Sequence, residues 1–539
     1  MQMEKHSENI KNLINNVKDK IGKPVSSRVV AATIESFGIR DIDTEADFGV
    51  SNIQDLSVYV YRQLTTSLEH KDSLNVKERE FVETNTDTIQ LSDYMMVKAK
   101  IFAQYYPLGI FHLLPVFLQI AAIVVFGYSL WTHVHFNHLQ STAVVLGVMI
   151  GIITSGGFVQ VIGRQASFYW NYHDYSMTKK TIDYLLKLGV KTLLLIFTFI
   201  CFINIFIHIY PFKVLFIVFT YAFFVGTLLL VLAPLHTIKQ RWMITIAVIL
   251  GTLVTVLLNK YTDLLIYYTH WLGIALAILS AKTYIYFFFR NYLKNHPPKA
   301  DLNIKSSVFI YQNHRYFLYG LFVYFFIFID RILAWSANTN GQLPFVIYFE
   351  KDYELGMDMA ILVFLLLAGV LEFSIASFTR FLDITQKLVQ FEKPKNFNKE
   401  LHKLYWQNIL VLLITSLIIY FLIYQVMFAS WGYKGQFNED LQNISIKVCY
   451  LGGTGYFFLA WGMLNTLYLF TLGHTQQPLK GIIYAIVINI TVGFILSRFL
   501  SFEYSVVGML IGALFFMLYT LKHIFHFFKK LDYHYYASF

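Results

Sequence analysis

Twelve hydrophobic segments, each long enough to cross a bilayer as a helix, follow one another from Pro107 onward, and they constrain the fold more than any other feature of the chain. A hydrocarbon core of about 30 Å takes about 20 helical residues. The segments run over residues 108–131, 141–163, 190–210, 214–235, 242–259, 264–289, 316–335, 356–379, 407–431, 448–472, 479–500 and 506–528. Lipid offers no partner to backbone N–H and C=O groups, so spans of this kind must be α-helices. The expected fold class is all-α: a polytopic membrane protein with about twelve transmembrane helices in two six-helix bundles, preceded by a small helical cytoplasmic region.

Composition agrees. Of 539 residues 56% are hydrophobic and 14% charged, against about 25% charged in a soluble globular chain, which excludes a disordered or ordinary water-soluble protein. Two cysteines, Cys201 and Cys449, exclude a disulfide scaffold and a multi-cysteine metal cluster. Residues 1–100 carry a net charge of −3 and residues 101–539 a net of +13, so the basic character belongs to the hydrophobic part. No basic run with interleaved aromatics stands there, which argues against a nucleic-acid partner. Counted in alternate connections, Lys and Arg number 22 on one side and 6 on the other. That bias predicts a membrane protein with both termini in the cytoplasm. The polar opening HSENIKNLINNVKDK stands where a signal peptide would be apolar, in agreement with that orientation.

Four regions are expected. Residues 1–95 form a cytoplasmic helical domain, with one helix begun at Ser26 and stopped at Gly38, and a second opened by the capping box Ser51-Asn-Ile-Gln54 and running to about His70. Residues 96–290 form the first bundle, 291–315 a cytoplasmic linker broken by Pro297-Pro298, and 316–539 the second bundle with the C-terminal tail. Six spans plus six is the pattern of alternating-access transporters built from repeats.

Short motifs carry a family resemblance. Ser155-Gly-Gly-Phe-Val-Gln-Val-Ile-Gly-Arg-Gln-Ala-Ser-Phe-Tyr169, Ile329-Asp-Arg-Ile-Leu-Ala-Trp335, the segment from Phe364 to Phe381 and the tail Leu531-Asp-Tyr-His-Tyr-Tyr-Ala-Ser-Phe539 follow in the order seen in one family. Over about residues 96–539 the chain resembles the PelG-type exopolysaccharide transporters of the MATE and Wzx-like flippase superfamily. It departs at Gly157, where that family has Pro, at Gly163, where it has Thr, and at Ala166. The resemblance implies a translocator that moves a Pel-like polysaccharide or its precursor outward, beside a cytoplasmic glycosyltransferase and other membrane subunits of an export complex. A flippase for lipid-linked oligosaccharide and a multispan membrane acyltransferase are the alternatives.

Ionisable groups inside spans cost about 2.5–3.5 kcal/mol each on insertion scales and are functional candidates by default. Lys282, Asp330, Arg331 and Glu372 lie within spans, with Asp358 and Arg380 at the ends of the eighth. Lys282 and Glu372 fall at similar depth and can pair, and Arg331 can stack on Trp335 one turn along. These side chains either line a sugar path or lock helices together as structural ion pairs. Among the aromatics, Tyr319 and Tyr324, with Tyr316, Tyr284 and Tyr286, flank the linker and are the better sugar-stacking candidates. His112, His208, His270 and His474 have no metal-ligand spacing and read as satisfied or interfacial. No nucleotide loop or nucleophile elbow is present, so no enzyme activity, cofactor or metal is expected.

Overall fold

A computed structural model describes residues 2–21, 26–72, 114–296, 305–337, 345–388, 394–430, 432–437, 439–471 and 473–529, with Pro24 and single positions from 100 to 109. The Pro297-Pro298 pair, most of the stretch between residues 73 and 113, and the C-terminal tail lie outside the described residues. Regular structure among them is helical apart from one bridge between Tyr128 and His133.

The first four helices, α1 (Gln2–Ile21), α2 (Ser27–Ser36), α3 (Asp41–Phe48) and α4 (Ile53–Asp72), pack around Leu13, Val17, Val30, Ile34, Leu56 and Val60. Ser26 caps α2, accepting from Val29 N, and Gly38 ends it at φ +86°. The expected box at Ser51 is displaced by one residue: Asn52 Oδ1 accepts from Asp55 N at 2.7 Å, and Ser51 Oγ bonds the Asp55 carboxylate instead. Asn is as good a cap as Ser, so the sequence pattern permits either register. Helices α1 and α3 were not anticipated.

The first bundle comprises α5 (Leu114–Phe126), α6 (His138–Val161), a π-helical turn over Ile162–Ala166 with the short α7 (Ser167–Asn171), α8 (Tyr175–Ile207), α9 (Phe212–Thr237), α10 (Trp242–Tyr261) and α11 (Ile266–Asn295). The second comprises α12 (Ser306–Trp335), α13 (Lys351–Leu388), α14 (Pro394–Phe428), α15 (Tyr433–Phe437), α16 (Asn443–Thr471), α17 (Gln476–Phe499) and α18 (Ser505–Phe528). Eleven of the twelve expected segments coincide with helices, and the first, 108–131, meets one only over Leu114–Phe126 among the described residues. Among the described residues ten helices are long and apolar enough to cross a membrane. Those ten do not include α5, described over 13 residues, or α16, whose 29 residues include four glycines and two asparagines. The helices overrun the expected spans: α8 begins at Tyr175 rather than 190, because its first turns are polar and a hydropathy count sees only the apolar part.

The surface is inverted relative to a soluble protein. Leu195, Phe206 and Phe216 are 60–68% exposed, which is tolerable where the neighbour is lipid rather than water. The interiors are packed within each bundle, α9 on α6 and α10 on α11 in the first, α13 on α16 and α17 on α18 in the second. Between bundles the principal contact is α6 against α12, running antiparallel. Its closest approach needs glycine: a Cβ on Gly320 would stand 2.7 Å from Gly156 O, and one on Gly157 2.7 Å from Phe317 O. The end of this seam where α6 finishes and α12 begins carries the Lys- and Arg-rich connections and is called the basic end below.

Candidate functional site

The final turns of α12 and the first turns of α13 bring together four charged side chains, Asp330, Arg331, Glu354 and Asp358. Arg331, 4% exposed, places Nη1 2.9 Å from Glu354 Oε1, and its Nη2 is 3.8 Å from Asp358 Oδ1. Adjacent residues on a helix diverge by about 100°, so Asp330 turns elsewhere: its Oδ2 accepts from Tyr353 OH at 2.7 Å, and Tyr353 OH in turn accepts from Ser505 Oγ at 2.8 Å. Tyr353 and Glu354, neighbours on α13, thereby receive Asp330 and Arg331, neighbours on α12. Asp358 differs from the rest. Its side chain is 63% exposed while Arg331 and Glu354 are buried behind it.

Glu354 and Asp358 share one guanidinium and Asp330 stands next to it in sequence, held by Tyr353, so carboxylates outnumber cations in the cluster. At 4 Å two unit charges interact by about 4 kcal/mol at an effective dielectric of 20, enough to make the approach of a further cation or proton favourable. Asp330 Oδ1 and Glu354 Oε2 have no hydrogen-bond partner and keep acceptor capacity on the buried side. No three His, Cys, Asp or Glu side chains among the described residues are grouped as a metal site. Arg498 of α17 ties the end of α12 down, Nη1 donating to Leu333 O at 3.0 Å and Nη2 to Ser336 Oγ at 2.8 Å. A cation bonding the last carbonyls of a helix is favoured by its dipole as well.

Of the residues singled out in the sequence, Asp330, Arg331 and Asp358 converge here. Trp335 lies beside them but does not stack on Arg331 as expected. The guanidinium sits over Phe328 at 5.3 Å, and the Trp335 ring packs on Phe349 at 5.2 Å. Helical side chains lean toward the N-terminus, so Arg331 reaches the ring three residues before it rather than four after. Glu354 was missed because the eighth span was started at residue 356, which assigned it to a connection. Lys282 and Glu372 lie in different bundles, on α11 and α13, and Lys282 stands in the field of Asp183 on α8. Arg380 is exposed at the basic end of α13.

Tyr319 is buried with its ring 5.0 Å from Phe470. Tyr324, from α12, closes a cavity of about 250 Å³ inside the first bundle, together with Trp131, Ser155, Val159 and His236. His270 is buried and its Nδ1 is engaged by Tyr221 OH at 2.7 Å. His112 lies outside the described residues.

Solved structures share this arrangement of helices. An outward-facing multidrug resistance MATE family transporter of the MOP superfamily aligns over 80% of this chain and 97% of its own, with a TM-score of 0.54 at 12% identity. A MATE protein in its bent conformation aligns over 81% and 97%, TM-score 0.52 at 13% identity. The fold is that of the MATE transporters. A MOP superfamily transporter from Pyrococcus furiosus, described as having a binding pocket of reverse polarity, shares the MATE-like fold over 80% of this chain and 97% of its own, with a TM-score of 0.52 at 12% identity. In sequence, no family model matches the chain and no curated protein does.

Proposed function

We propose that this protein is a transporter working by alternating access, and that its cargo is an exopolysaccharide of the Pel-like class, or the precursor of one, moved outward across the cytoplasmic membrane. The observation that carries the reading is Asp358: an open carboxylate backed by the buried Arg331–Glu354 pair, where the last turns of α12 meet the first turns of α13 in a MATE-like fold. Charged side chains within membrane helices line bundle interiors or water-filled cavities and mark paths for substrate or ions. The PelG-like motifs supply the cargo class, because Ile329 to Trp335 includes two residues of this cluster. The excess of carboxylate suits a cationic sugar or a coupling cation.

The acidic N-terminal domain is proposed to hold the cytoplasmic glycosyltransferase that feeds the path. Deleting residues 1–90 is then expected to abolish co-purification of that enzyme while the membrane part still inserts.

Export of polymer from intact cells tests the main reading. Asp358→Asn and Asp330→Asn should each abolish export with the protein still inserted at normal level. Unimpaired export by both would overturn the assignment of the path. Accumulation of lipid-linked oligosaccharide on the inner leaflet, with no polymer trapped inside, would favour the flippase alternative.

A further inference from the structure

The α6–α12 seam is fastened at its two ends by different small sets of polar contacts. At the basic end Arg164, in the π turn that follows α6, lies with its guanidinium 3.8 Å over the Tyr316 ring, and its Nη1 donates to Asn313 Oδ1 at 3.3 Å. Both receivers on α12 are held in place beforehand. Asn313 spends Nδ2 on Phe309 O at 2.9 Å, which leaves its oxygen for Arg164, and the Tyr316 ring is braced 5.0 Å from Phe470.

At the opposite end residues 345–350, which precede α13, reach across to the first bundle. Phe349 N donates to Thr142 Oγ1 at 3.0 Å, and Tyr210 OH donates to Ile347 O. His138 Nδ1 also lies 3.3 Å from Phe349 O. The strap is fixed to its own bundle through Tyr348 N, which donates to Trp335 O at 3.1 Å. Ser155, fully buried and facing the cavity of the first bundle, lies along α6 between the two sets.

We infer that these sets are opposing latches of one conformational exchange. Opening toward the basic end breaks the Arg164 contacts with Tyr316 and Asn313 and keeps the strap on Thr142 and Tyr210. Opening the other way breaks the strap and keeps Arg164. One set is a cation–ring contact with one hydrogen bond and the other a few hydrogen bonds, so either can be exchanged for water at small cost, whereas the close-packed middle of the seam has discrete arrangements. The inference rests on the alternating-access reading and names the residues that hold each side shut.

The test uses the full chain in sealed membrane vesicles, with Cys201 and Cys449 replaced by serine, Ser155→Cys as reporter and a water-soluble maleimide applied to either face. Arg164→Ala should raise the labelling rate several-fold from the basic face and not from the other. Thr142→Val combined with Tyr210→Phe should do the reverse. Tyr316→Phe keeps the ring and should label like the parent, and Tyr316→Leu should behave like Arg164→Ala; that pair decides the matter if Arg164→Ala does not reach the membrane. Labelling unchanged by both sets, or raised from both faces by either one, would overturn the inference. The maleimide needs no cargo, so opposite shifts in labelling uphold the latches even where the export assay tells against a polysaccharide.

Discussion

Arg331 is buried against Glu354, and removing it would leave Glu354 as a buried, uncompensated charge. Breaking a buried pair from one side costs about 3–5 kcal/mol, whereas replacing both partners with neutral groups of similar shape is often close to neutral. Arg331→Met should therefore lower thermal stability in detergent by about that amount, and Arg331→Met with Glu354→Gln should recover most of it. Failure of the second change to restore stability would show that Glu354 is not the principal partner. At this scale the sequence was legible for which residues were unusual and opaque for whom they meet. Asp330, Arg331 and Asp358 stand out because charge is scarce in apolar spans. Glu354 does not, because an acidic residue just before an apolar run reads the same whether it ends a loop or begins a buried turn. The ring beneath Arg331 depends on the lean of helical side chains, which spacing alone does not convey.

The seam between α6 and α12 depends on small residues rather than on charge. The Gly320 backbone approaches Gly156 O so closely that a methyl group would stand 2.7 Å from it, and a carbonyl inside a helix cannot step aside. Gly320→Ala should part the helices and cost about 1–3 kcal/mol by overpacking. A methyl group on Gly163 would meet nothing within 4 Å, so Gly163→Ala should be neutral or stabilising, by about 0.4–1 kcal/mol through the unfolded chain. Unfolding midpoints of the two variants check the contrast, and equal effects would contradict the packing described. Element positions were readable because the hydrophobic demand of a membrane acts on each segment separately. The π turn at Ile162–Ala166 was not, since one extra residue in a turn leaves no mark on hydropathy.

For the molecule as a whole, the charge bias of its connections predicts that the Arg290–Arg315 and Arg380–Lys403 connections share one side with both termini. Single cysteines placed in them should resist impermeant maleimide in intact cells and react in inside-out vesicles. Reaction of the 380–403 connection from outside would reverse the orientation assigned to the basic end. The helical, many-spanning character was open to a reader of the sequence because it needs only a count of apolar runs, ten of which are long and apolar enough to cross a membrane among the described residues. How the halves touch was not, because the Gly156–Gly320 approach and the strap on Thr142 join residues more than 150 positions apart. That strap has a further consequence for how the gene can vary. Residues 345–350 and the receivers Tyr353 and Glu354 share one short stretch, anchored at Trp335 on one side and Ser505 on the other. One codon inserted between Tyr353 and Asp358 would swing the carboxylate beyond it about 100° around the helix. Over this stretch, substitutions of matching size can drift while insertions and deletions cannot, so length should be the more strictly kept property of the reading frame.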